Sequence, residues 1–146
     1  MIDDTLYALT DFEQWLKNMQ LNVDSKQSTR IFSNSVWLRD HVETQLKRLE
    51  KLRNHLIELK DTATDSTVEN NLKISIKYCD DLIKILNTLY QVHKQNVSDS
   101  LAHNHWTQTL PSLFGTTTHL RNRLTITQGL LRNTRDQDKH HWLNEL

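Results

Sequence analysis

The chain reads as an all-α protein, an antiparallel bundle of about four main helices, on three observations. Apolar residues recur at spacings of three and four over long stretches. Only two glycines and one proline interrupt 146 residues, too few turn residues for a sheet protein. No long alternation of Val, Ile and Thr is present. The length fits a single domain over 1-146, large enough to bury a core without disulfides or metal.

The organising stretch is Val36 to Leu59. Leu38, Val42, Leu49, Leu52, Leu56 and Leu59 step by four and three, the coiled-coil-like seam of a helix that packs lengthwise on another. Between them stand Arg39, Asp40, Glu43, Lys47, Arg48, Glu50, Lys51, Arg53 and Glu58. Gln45 breaks the seam. A buried amide there fixes register. Alternatively the helix rotates slightly and Leu46 fills the layer, which the drift of about 20° per seven residues favours.

Before this stretch, Thr10 and Glu13 have the spacing of a capping box. They accompany the stripe Phe12, Trp15, Leu16 and Met19, with Leu6, Tyr7 and Leu9 as an earlier turn or an extension. Asn22 to Ser28 reads as a loop. Trp15 and Trp37 adjoin strong apolar stripes and are expected in the core.

After it, Asp61 to Asp65 makes a short connection. Ser66 with Glu69 is a second capping box, placing the third helix from about Thr67. So short a loop implies an antiparallel helical hairpin. Leu72, Cys79, Leu82, Leu86 and Leu89 form one seam of this helix, and Ile76, Ile83 and Tyr90 a parallel row. A stripe that wide needs at least two neighbouring helices. Lys77, Asp80, Asp81 and Lys84 form an ion-paired wet face.

Asn96 to Thr109 is polar and weakly periodic, and Pro111 follows. The fourth helix is therefore expected from Thr116, Thr117 or Thr118 through Leu120, Leu124, Thr127 and Leu131. Gly129 weakens it. Thr134 with Gln137 suggests a separate short C-terminal amphipathic helix carrying Trp142, Leu143 and Leu146.

Formal charge is zero, which disfavours a polybasic membrane binder or a nucleic-acid coat. No apolar run is long enough to span a membrane, and Met1 to Leu9 carries Asp3 and Asp4 where a secretory leader would be basic and apolar. The single Cys79 fits a reducing compartment, and a cytoplasmic location is expected. Asn96-Val97-Ser98 then matches the glycosylation pattern by chance.

Eight histidines invite a metal reading, but none of their spacings chelates on one helix face. His103 and His105 lie two apart, His140 and His141 are adjacent, and His41 and His55 are fourteen apart. Neither His-x-x-x-His nor Glu-x-x-His occurs. No nucleophile elbow or phosphate-cradling glycine loop is present, and Cys79 sits in a seam. No catalytic residue, metal ligand or cofactor is assigned, and the expectation is a protein without enzymatic activity.

Charge is segregated. Asp3, Asp4, Asp11, Glu13 and Asp24 face only Lys17 in the first segment, whereas Arg121, Arg123, Arg132 and Arg135 lie in a stretch without acids. Either the basic segment lies against the acidic one, or it meets a partner. The leading functional expectation is a protein–protein interaction module, an adaptor, assembly subunit or regulator that docks through a helix face. Arg121, Arg123, Arg132, Arg135, Trp106, Trp142, Leu143 and Leu146 are its candidate partner-binding residues, and the partner is another protein or a second copy. The alternative is a single-stranded nucleic-acid binder, with the arginines on phosphates and Trp106 or Trp142 stacked on a base.

Overall fold

A computed structural model of the chain describes residues 2–25, 35–95 and 97–145, with side chains described within 2–25, 36–95 and 97–133. Four helices account for nearly all of it: α1 (Ile2–Asp24), α2 (Ser35–Thr62), α3 (Ser66–Lys94) and α4 (Asp99–Glu145). They form the expected all-α bundle.

Each helix packs on its chain neighbours, and α4 returns to close the ring against α1. All four seams are antiparallel. His93 meets Trp106 near one end of α3–α4, and Asn71 meets Arg123 near the other. Val23 meets His103 and Asp3 meets Gln128 along α1–α4. The core runs down the middle of this ring. It takes Leu9, Phe12, Leu16 and Met19 from α1, and Leu38, Val42, Leu49, Leu52 and Leu56 from α2. From α3 it takes Leu72, Cys79, Leu82, Leu86 and Leu89. As its wide stripe requires, α3 touches both α2 and α4.

Helix boundaries differ from the sequence reading. At its end α1 runs on through Asn22 and Val23 to Asp24, where a loop was expected. Asp3 and Asp4 lie in the first turn of α1, where carboxylates favour the positive end of the helix dipole. The helix therefore starts well before Thr10. That residue sits mid-helix, its hydroxyl donating to the Leu6 carbonyl at 3.0 Å, and caps nothing. The cap of α3 is Asp65 rather than Ser66, its carboxylate accepting from the N–H groups of Thr67 and Val68 at 2.7 and 3.1 Å.

The last difference is the largest. α4 begins at Asp99 and runs through Pro111, with no turn at Leu113 to Gly115 and no separate C-terminal helix after Thr134. Ala102, Trp106, Leu110, Leu113, Thr117, Leu120, Leu124 and Thr127 are all buried at spacings of four and three. An interior proline costs about 3 kcal/mol. Burying this stripe, at roughly 1.5–3 kcal/mol for each large apolar side chain, outweighs it. The buried hydroxyls of Thr117 and Thr127 donate to the Leu113 and Arg123 carbonyls four residues back.

Two tryptophans exchange expected places. Trp37 is 39% exposed, its ring tilted against His41 with centroids 3.9 Å apart. Trp106 is wholly buried, so it is a core residue and not an exposed anchor for a base or a partner. On the outer face of the hairpin, Asp80 pairs with Arg53 of α2, where the sequence suggested its lysine neighbours on α3.

Candidate binding groove between the first two helices

The seams of the bundle are unequal, and side-chain chemistry explains why. Where α4 meets α1 and α3, long polar side chains find partners across the boundary. Arg121 donates from Nε to Glu13 Oε1 at 2.7 Å and from Nη2 to Thr10 Oγ1 at 2.7 Å. Gln128 donates to Asp3 at 2.6 Å. Arg123 reaches Asn71 of α3 at 3.1 Å. The acidic first helix thus lies against the arginine-bearing one, and Arg121 and Arg123 are engaged inside the molecule.

Aromatic rings complete that side. Trp106 lies edge-on to Trp15, with centroids 5.7 Å apart, and its indole N–H donates to His93 Nε2 at 2.8 Å. Burial, reinforced by nearby His105, pushes the His93 imidazole down to about 4. His93 is therefore neutral near pH 7, as an acceptor nitrogen must be.

Between α1 and α2 the packing is thinnest. A cavity of about 500 Å³ lies there, bordered by Asp11, Gln14, Trp15 and Asn18 of α1 and by Asp40, His41, Thr44, Gln45 and Arg48 of α2. A second, of about 320 Å³, continues along the same seam between Asp4, Thr5, Ala8 and Asp11 and Arg48, Lys51, Leu52 and His55. Asp11 and Arg48 border both, so the two form one groove. From Asp4 to Asn18 it follows about 21 Å of helix at 1.5 Å per residue.

The groove carries polar groups without partners. Gln45 is 3% exposed, between Val42 and Leu49 on the core face of α2, and its Oε1 is buried with no hydrogen bond. Such an orphaned acceptor costs about 1–3 kcal/mol. Leu46 is buried as well, so it fills the layer beside the amide. Asp11 and Arg48 face the groove from opposite walls, yet form no ion pair among the described residues. Trp15, half-buried and wedged against Phe12 and Trp106, forms a rigid aromatic wall.

Of the residues singled out from sequence, Arg132 is exposed and borders a smaller cavity of about 220 Å³ with Tyr7 and Gln128. The side chains of Arg135, Trp142 and Leu143, and the whole of Leu146, lie outside the described residues. The described members of the set do not share one site: Arg121 and Arg123 are engaged inside the molecule, Trp106 is in the core and Arg132 lies on the surface. Nor did the sequence reading find the groove residues Asp11, Gln14, Asn18, Asp40, Thr44 and Arg48. Their one visible signal was the amide that interrupts the α2 seam.

Other reactive groups sit apart from the groove. Cys79 is buried and unpaired, and burial, with Asp80 beside it, pushes its thiol up to about 12, against thiolate chemistry. No three His, Cys, Asp or Glu side chains group to hold a metal ion among the described residues. None of the described helices is long and apolar enough to cross a membrane.

Set against protein-family models, curated proteins and solved structures, the chain gives no significant match to any of the three.

Proposed function

We propose that this protein is a non-enzymatic interaction module that docks a helix of another protein into the groove between α1 and α2. The observation that carries this reading is the groove itself, an incompletely closed seam whose walls hold a buried acceptor without a donor. In a bundle, polar side chains at the seam between two helices pair with each other, stay hydrated, or meet something laid across them. Along α1–α4 they pair with each other. Along α1–α2 Asp11, Gln45 and Arg48 do not. The groove follows about four turns of helix, the span over which a docked amphipathic helix presents its anchor residues.

Docking moves from the arginine-rich helix face to this groove, because Arg121 and Arg123 are held by Glu13 and Asn71. The buried free thiol of Cys79 is in keeping with work in a reducing, cytoplasmic setting.

Ala8 is small, exposed and on the groove wall, so Ala8→Trp blocks the groove without entering the core. Affinity capture with the full chain, quantified by mass spectrometry, is expected to yield proteins that Ala8→Trp loses at least about tenfold. Arg132→Ala, on another face, keeps them. Equal capture by both variants would refute docking at the groove.

A further inference from the structure

We infer that residues 99–107, the part of α4 before Pro111, are an acid-released arm, latched shut by the hydrogen bond between Trp106 and His93. Its boundary is set by the backbone. Pro111 has no N–H, so the Thr107 carbonyl lacks the helical bond that would tie it to the next turn. Before that gap little apolar surface is buried, since of residues 99–107 only Ala102 and Trp106 are buried. After it Leu110, Leu113, Leu120 and Leu124 are buried, and Arg121 is bonded to Glu13. A helix opened at the missing bond therefore gives up the arm and keeps the rest of α4 in place.

Three contacts across helices hold the arm. His103 Nε2 donates to the Val23 carbonyl of α1 at 3.0 Å, and Trp106 lies edge-on to Trp15. On α3, His93 Nε2 accepts the Trp106 indole N–H at 2.8 Å. Of these three only the last is incompatible with a proton. His103 acts as a donor and keeps its N–H when charged. An indole nitrogen can only donate, and a charged imidazole has no acceptor. Charging His93 therefore sets two donors against each other in a buried place. The surroundings do not neutralise that charge. His105 on α4 adds positive charge there, and no carboxylate of the described residues offsets it. The other charged groups of this end face solvent. Lys17 and Asp24 of α1 and Lys94 of α3 are exposed, Arg39 and Asp40 of α2 pair with each other at the surface, and His41 lies against Trp37.

Opening frees His93 to take up the proton that the closed arm refuses. Burial holds the closed-state imidazole at about 4, against an ordinary 6.5, so acid favours the open arm. From these two values the open population rises about fiftyfold between pH 7 and pH 4.5.

Amide hydrogen exchange of the 15N-labelled full chain, followed by NMR at pH 7 and pH 4.5 and corrected for intrinsic exchange rates, tests the latch. Protection of residues 103–107 is expected to fall at least about tenfold more than that of residues 116–127. His93→Gln keeps an acceptor but cannot charge, so its two regions are expected to change alike. Pro111→Ala supplies the missing backbone bond and is expected to raise protection of residues 103–107 by about threefold or more at both pH values. Equal loss over both regions of the wild type, no loss at all, or the same selective loss in His93→Gln would overturn the latch. Unchanged protection in Pro111→Ala would overturn the boundary of the arm. The wild-type contrast and Pro111→Ala decide between these outcomes even if His93→Gln does not fold.

Discussion

The seams that α1 makes with α4 and with α2 are built from similar residues and end differently. Along α1–α4, Arg121 bridges Glu13 and Thr10, Gln128 meets Asp3, and Trp106 closes over Trp15. Along α1–α2, Asp11 and Arg48 look across a gap and Gln45 buries an acceptor that nothing answers. The difference is not one of charge supply, since both seams hold acids of α1 and an arginine of the facing helix. It is one of reach and closure. Trp106 brings a large buried ring to the first seam, whereas the second leaves space beside Trp15. A seam that satisfies itself stabilises the fold. A seam that does not leaves its polar groups to solvent or to whatever is laid across it.

Removing the ring that closes the first seam is the most drastic way to erase the contrast. Trp106→Ala is expected to cost about 3–5 kcal/mol, because it opens a cavity between α1, α3 and α4 and leaves the His93 acceptor unpaired. Urea unfolding followed by circular dichroism gives the number. A loss under about 1 kcal/mol would mean that Trp106 does not carry the closure.

Acid attacks the same place. The folded state holds His93 near 4, below its ordinary value of 6.5, so the unfolded chain binds the extra proton between these values. The contribution is therefore fully present above pH 6.5, is lost progressively as pH falls to 4, and changes no further below that. The total is about 3 kcal/mol, from roughly 1.4 kcal/mol for each unit of displacement. Stability measured by urea titration from pH 7.5 to 4 checks this. His93→Gln, which keeps an acceptor but does not titrate, should flatten that part of the curve. An unchanged slope in the variant would assign the acid sensitivity elsewhere.

The smallest effect has the opposite sign and sharpens the comparison most. Gln45→Leu removes the orphaned acceptor while keeping a similar volume, and is expected to stabilise the fold by about 1–3 kcal/mol. The same variant should lose the partner that the wild type captures, because stability and recognition compete for one position. Thermal unfolding and capture read the two effects. A Gln45→Leu protein that is less stable would show the amide to be satisfied in solution.

Much of this architecture was legible in the leucines. The seams of α2 and α3 and the hairpin between them follow directly from Leu38 to Leu56 and Leu72 to Leu89, since a three-and-four spacing has one low-energy solution, burial against another helix. The opposed charges of the first and last segments left two readings open, an internal contact or a partner, and the contact between α1 and α4 is the one the structure contains. What local pattern obscured was the start of α4. Histidines and asparagines around Ala102 and Trp106 masked the stripe, and Pro111 carried a stop signal that burial overrode.

The sequence by itself determined that the chain forms long amphipathic helices and which faces of them are apolar, because periodicity is a local property. Only the tertiary structure decided which polar residues meet. Arg121 and Arg48 are alike as residues on helices. The first finds Glu13 across a closed seam and the second finds no ion-pair partner among the described residues across an open one, because that depends on how closely two helices approach. The groove is therefore a product of packing, and the misplaced amide of Gln45 is the one trace of it that the sequence carries.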